Sequence, residues 1–177
     1  MKKYIVGLIF LTGGVIACNN KEETKSSGTT ASTASTLKMP YEAAYTTEFT
    51  NNVSDSAVLN VLNSYKYWET GDMKGLRSTL DDSTYFIASS GWKFTGLSDS
   101  AINVFTKYRD SLSSVKITVD VWLKNHSVKD SMDYVNVWYK EIDTYKTGKV
   151  DSANFEDDNG LKKGKIIWLS SHRQGLK

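Results

Sequence analysis

Two hydrophobic rhythms run through this chain, one of period 3.6 and one of period two. The helical rhythm comes first: Val58, Val61, Leu62, Tyr65 and Trp68 share one helix face, with Ser54 placed to cap the start and Gly71 to end it. Asp72 can cap a second, short helix carrying Met73, Leu76 and Leu80. Asp81-Asp82-Ser83 predicts a turn. Short strands are expected over 84–88 and 92–95, around Ser89-Ser90-Gly91. Ser98 is placed to cap a third helix with Ala101, Ile102, Phe105, Tyr108 and Leu112 as its stripe. Beyond Ser113 the period falls to two. Val115, Ile117, Val119, Val121 and Leu123 alternate with Lys116, Thr118, Asp120, Trp122 and Lys124. Further strands are expected over 132–143, 150–156 and 164–172, the last after a turn at Asn159-Gly160. Helices followed by strands predict one α+β domain, spanning 53–177, large enough for a single core.

The chain opens differently. Lys2 and Lys3 precede an apolar run over 4–17, shorter than the roughly 20 residues a membrane span needs, which reads as a secretory signal. Its end, Val15-Ile16-Ala17-Cys18, resembles the lipobox of bacterial lipoproteins. The resemblance implies that residues 1–17 are removed and Cys18 is acylated with palmitate-type chains. Residues 18–52 would then tether the domain to the membrane. Lys21-Glu22-Glu23 resembles the signal that sends such proteins to the outer face of the outer membrane in Bacteroidetes-type bacteria; a solvated charge cluster is the other reading. A lipid-anchored protein of the bacterial cell envelope is therefore expected.

Cys18 is the only cysteine, so the domain has neither a disulfide nor a thiol nucleophile. Removing Lys2 and Lys3 leaves basic and acidic residues equal in number, with no basic stripe, so nucleic acid is not expected as a partner. Up to Pro40 the tether is rich in Ser and Thr and poor in large apolar groups. Tyr41, Tyr45 and Phe49 then recur every four residues, either as a short docking helix or as more tether.

Trp68-Glu69-Thr70-Gly71-Asp72-Met73-Lys74-Gly75-Leu76, followed by Leu80-Asp81-Asp82-Ser83-Thr84, resembles the opening of nuclear-transport-factor-2-like, or SnoaL-like, domains. Gly148-Lys149-Val150 and Gly164-Lys165-Ile166-Ile167 resemble their late strands. The resemblance implies a cone: a curved antiparallel sheet wrapped around N-terminal helices, with a pocket at its mouth. It does not choose a function, because that fold serves isomerases, hydrolases, dehydratases, cyclases and proteins without chemistry. The position of the isomerase base, counted from Asp82, is Ile87, which cannot accept a proton. The position of the first-helix tyrosine is Ser64, and the second acid falls between Asp151 and Asn154. No catalytic residue is assigned. His126 and His172 lack metal-ligand spacing, so neither a metal nor a cofactor is expected. Asp81 and Asp82 are better explained as turn formers than as paired carboxylates.

Strand alternation divides the sheet. Odd positions carry Val115 to Val121, Val135, Val137, Tyr139, Ile167 and Leu169, and this face should pack on the helices. Even positions carry Trp122, Trp138 and Trp168 among polar groups, too much aromatic surface to leave in water. That face is expected to be covered by a second copy in a homodimer, or else within the monomer by segment 41–49. The pocket between helices and aliphatic face has Tyr65, Trp68, Tyr85, Ile87, Trp92, Tyr108 and Tyr139 as candidate lining, suited to a small apolar ligand. The leading expectation is a non-catalytic module binding such a ligand or a partner protein. The alternative is a cyclase, dehydratase or hydrolase acting on a hydrophobic small molecule. A carboxylate or histidine within about 3.2 Å of a tyrosine hydroxyl in an open cavity would favour the enzyme.

Overall fold

The structure, a computed structural model, describes residues 39–175. The leader, Cys18 and the Ser/Thr-rich tether lie outside them. The folded unit takes in the described chain from Glu42 onward. Among the described residues three helices form, two of them where apolar spacing and side-chain caps coincide. In α1 (Asp55–Thr70) the Ser54 hydroxyl accepts the Ala57 amide at 3.2 Å, and Gly71 ends the helix at φ 76°. Asp72 accepts the Gly75 amide at 2.7 Å and opens α2 (Met73–Thr79). The third, α3 (Ser98–Arg109), begins without a side-chain cap. Ser98 is buried instead, and its hydroxyl donates to the Asp81 carbonyl. Leu112 leaves the helical stripe and starts a strand.

Seven strands make one sheet: β1 (Phe49–Thr50), β2 (Leu80–Ile87), β3 (Lys93–Leu97), β4 (Leu112–Ser127), β5 (Met132–Tyr145), β6 (Val150–Lys162) and β7 (Lys165–Gly175). Their order is β1-β4-β5-β6-β7-β2-β3. The sheet is mixed rather than purely antiparallel. Strands β4 to β7 form an antiparallel meander, and the free edge of β7 takes β2 in parallel. Segment 41–49 docks through neither of the two expected forms. Its end extends as β1 against β4, and the Tyr45 hydroxyl bonds Ser127 and Asp130.

Two expected turns lie inside strands. Asp81-Asp82-Ser83 belongs to β2, where pairing with β7 slips between Leu80 and Tyr85; polar turn formers fit that break in the ladder. Asn159 and Gly160 lie within β6, and the hairpin turns at Lys163 and Gly164, with φ of 51° and 74°. Two positive φ values in succession suit a tight hairpin. Asn159 is fully buried and serves as a hydrogen-bonding core residue. Gly160 makes room for its neighbours, since a Cβ there would sit 3.1 Å from the Trp168 ring.

Val61, Val135, Val137, Leu161 and Ile166 form the centre of the core between the helices and the inner face of the sheet. Alternation holds along the core of β5 and is broken by bulges in β4 and β7. In β4, Val119 pairs Tyr139 while Val121 pairs Trp138, so Asp120 is an extra residue. From there outward the phase flips: Val121 joins the outer face with Trp138, and Trp122 joins the inner face opposite Val137. A second bulge makes Ile167 extra, so Ile166 and Leu169 point inward and Trp168 outward. The three-tryptophan face is thus corrected to two, Trp138 and Trp168. Trp122 stands on the helix side, 49 % exposed.

Candidate functional site

Between the helices and the inner face lies an open cavity of about 660 Å³. Helix α1 contributes Tyr65 and Trp68, α3 contributes Phe105 and Tyr108, and β5 contributes Tyr139. Periodicity alone puts them there: Tyr65 and Trp68 are three apart on a helix, as are Phe105 and Tyr108. Trp68 and Tyr108 stack with parallel rings 6.0 Å apart, and Tyr65 meets Tyr139 edge-on at 4.9 Å. Trp92, on the loop before β3, stands over Phe105 at 6.5 Å and is 40 % exposed.

Five of the seven residues expected to line the pocket are brought together here: Tyr65, Trp68, Trp92, Tyr108 and Tyr139. Tyr85 and Ile87 are not. They pair with Trp168 and Ser170 on the outer face, and Phe86 between them faces the cavity. Ile87 therefore offers the cavity nothing. Ser64 does reach it, buried, with its hydroxyl donating to the Val61 carbonyl at 2.7 Å. His172 pairs Glu156 on the outer face and is exposed, while His126 bonds Asp133 at 2.7 Å, away from the cavity. No group of three or more metal-binding side chains occurs among the described residues.

The base of the cavity is polar. The hydroxyls of Tyr65 and Tyr139 both donate to Asp157 Oδ2 at 3.0 Å. Asn159 Nδ2 donates to the Tyr65 oxygen and to the Val135 carbonyl, each at 3.1 Å. Asp157 is 3 % exposed. Burial pushes its carboxyl up from 3.8 to about 6, against the hydroxyls of Ser171, Tyr139 and Tyr65, which favour the charged form. On β5, Glu141 and Asp143 line the same wall. Burial, then the neighbouring Asp143 charge, push Glu141 up to about 8, with the Trp68 indole opposing. Burial also raises Asp143, whose Oδ2 accepts from Tyr108 at 3.2 Å. Desolvation raises both Tyr65 and Tyr139, keeping them as neutral donors.

Sequence reasoning missed Glu141, Asp143 and Asp157, although a signal was present. Glu141 and Asp143 continue the inward series Val135, Val137, Tyr139, and acids on an otherwise apolar inward series call for an explanation. Asp157 fell one residue beyond the expected end of its strand.

No family model matches the chain, and no curated protein does. Solved structures do. An LEH-like epoxide hydrolase of M. tuberculosis superposes with a TM-score of 0.58 at 8% identity, covering 68% of this chain and 84% of that one. An NTF2-like protein of Burkholderia pseudomallei K96243 gives 0.56 at 15% identity, covering 69% and 92%. The fold is the nuclear-transport-factor-2-like cone. A ketosteroid isomerase-like protein from Erwinia carotovora atroseptica SCRI1043 shares the cone at 0.58 and 12% identity, covering 72% of this chain and all of the other. At such identities the likeness is one of fold. The nuclear-transport-factor-2-like cone here is a curved, unclosed mixed sheet whose inner face and helices bound the cavity.

Proposed function

We propose that this chain is a lipid-anchored envelope protein whose cone holds a small, largely apolar molecule and can move a proton on it. The observation that carries this is Asp157, buried at the base of an aromatic cavity and 3.0 Å from two tyrosine hydroxyls. Asp143 and Tyr108 repeat the arrangement at 3.2 Å. Such contacts are the ones that favour the catalytic alternative over a non-catalytic module. Between about pH 6 and 8, Asp157 is ionised while Glu141 keeps its proton, so a base and an acid face one cavity at once. Two of the solved structures of this fold named above, an epoxide hydrolase and a ketosteroid isomerase-like protein, have names that tell of chemistry on small molecules. One observation favours pure binding instead: both donors already occupy Oδ2, and Oδ1 is enclosed.

Protein purified from its native membrane is expected to carry a small molecule detectable by native mass spectrometry. Ser64→Phe, which fills the cavity, is expected to lose it. A protein that elutes empty and binds no apolar compound refutes the reading. Turnover of the copurified molecule separates catalysis from binding.

The anchor is proposed from Cys18 and the lipobox resemblance. Incorporation of radiolabelled palmitate should vanish in Cys18→Ser. A homodimer through the outer face, with Trp138 and Trp168, is proposed as well. Val121 and Leu123 add exposed apolar surface there, at 46% and 52%. Part of the face is already shielded by the chain itself, since Tyr45 and Phe49 share a groove with Trp168. Sedimentation giving a clean monomer at tens of micromolar sinks the dimer.

A further inference from the structure

Four carboxyl groups line the cavity, Glu141, Asp143, Asp151 and Asp157, and Arg173 is the single base among the described lining residues. Arg173 is spent, because its Nη2 bonds Asp151 at 2.7 Å. Arg109, whose charge is felt at Asp143, gives its Nε and Nη2 to the carbonyls of Trp68 and Glu69 at 3.1 and 3.0 Å. Glu141, Asp143 and Asp157 thus face an apolar space with no cation of their own. A second, independent observation concerns hydrogen bonding. Oδ1 of Asp143 and Oδ1 of Asp157 are buried and have no partner among the described residues. Their side chains belong to residues only 7% and 3% exposed. Buried acceptors left unpaired are costly, and most in native proteins find a donor.

Aromatic rings form much of the remaining wall, among them Trp68, Trp92, Phe105, Tyr108, Tyr139 and Phe155. Ring faces attract cations, and carboxylates bind ammonium groups through charge-assisted hydrogen bonds. An anionic ligand would meet like charge. A neutral apolar one would leave the buried carboxyl groups without a counter-charge. A bare metal ion is a poor occupant, because the acids do not gather into a set of three or more ligands among the described residues. We propose that the cone selects organic cations, molecules with an apolar or aromatic body and an amine head seated against Glu141, Asp143 and Asp157. This rests on the small-molecule reading of the cavity given above and adds to it the class of ligand.

Three probes of one shape test it: phenylbutylamine, phenylbutanol and phenylbutyrate, titrated calorimetrically into the purified full chain at neutral pH. The amine is expected to bind more tightly than the alcohol by about tenfold or more, and the carboxylate least. Asp143→Asn and Asp157→Asn should each shrink the preference for the amine while the alcohol still binds. Two variants on different strands keep the test open if one fails to fold. Equal binding of amine and alcohol, or tighter binding of the carboxylate, overturns the inference and leaves the small-molecule reading standing. Binding of none of the three overturns both.

Discussion

Asp157→Asn isolates the energetic cost of the charge buried under the cavity. Asparagine keeps the side-chain shape, and its carbonyl oxygen can still accept from Tyr65 and Tyr139. What changes is the charge. A carboxyl whose folded value lies at about 6 and whose unfolded value is 3.8 loses about 3 kcal/mol of stability on ionising in place. The sign follows from proton counts. Below about pH 4 folded and unfolded chains both hold the proton, so the stability contribution is fully present. Between about pH 4 and 6 the folded state binds more protons than the unfolded one, and stability falls as pH rises. Above about 6 the loss is complete. Urea denaturation of both proteins at pH 3 and pH 8 should therefore show the variant gaining about 3 kcal/mol on wild type between the two. Constant differences between amide and acid cancel in that comparison, and Glu141, whose carboxyl the Asp157 charge also pushes up, changes the difference in the same direction. A difference between variant and wild type that is the same at both pH values would refute the claim that Asp157 ionises inside a desolvated site.

Three other outcomes are expected. Tyr65→Phe removes one donor to Asp157 and leaves Asn159 Nδ2 without one of its acceptors. It should cost about 1–3 kcal/mol by urea denaturation and raise the Asp157 titration seen by carboxyl-carbon NMR. Gly160→Ala drives a Cβ to 3.0 Å from Met132 Cε and 3.1 Å from Trp168 Cε3, so it should destabilise by about 1–3 kcal/mol, read as a lower urea midpoint. Tyr45→Phe cuts the hydroxyl contacts to Ser127 and Asp130. Amide exchange should then speed up at Val128, whose N–H donates to the Glu48 carbonyl at 3.1 Å, while the amides of β5 stay protected.

Much of the fold was legible because local and global signals agreed. Ser54, Gly71 and Asp72 cap the helices they were placed to cap, and the change of period after Ser113 marks the long strands. The failures share a cause, which is that tertiary contacts decide what a local motif becomes. Asn159-Gly160 carries hairpin chemistry, yet Asn159 is needed to hold Tyr65 and Val135, and Gly160 to admit Trp168. Strict alternation puts Trp122 on the wrong face because a single residue, Asp120, shifts the count, and nothing in its neighbours announces a bulge. The aromatic part of the site was readable from helix spacing. The acidic part was not, since acids on strands are ordinarily solvent-facing and only the curvature of the sheet over the helices encloses these.

The parallel pairing of β2 with β7 has a consequence for how the chain comes together. One wall of the cone is laid down early in synthesis, but the ribbon it must zip onto arrives last. A polypeptide cut short before Lys165 would leave β2 and β3 a stranded hairpin. Closure waits on β7, far along the chain from β2, which makes for slow, all-at-once assembly dominated by distant contacts.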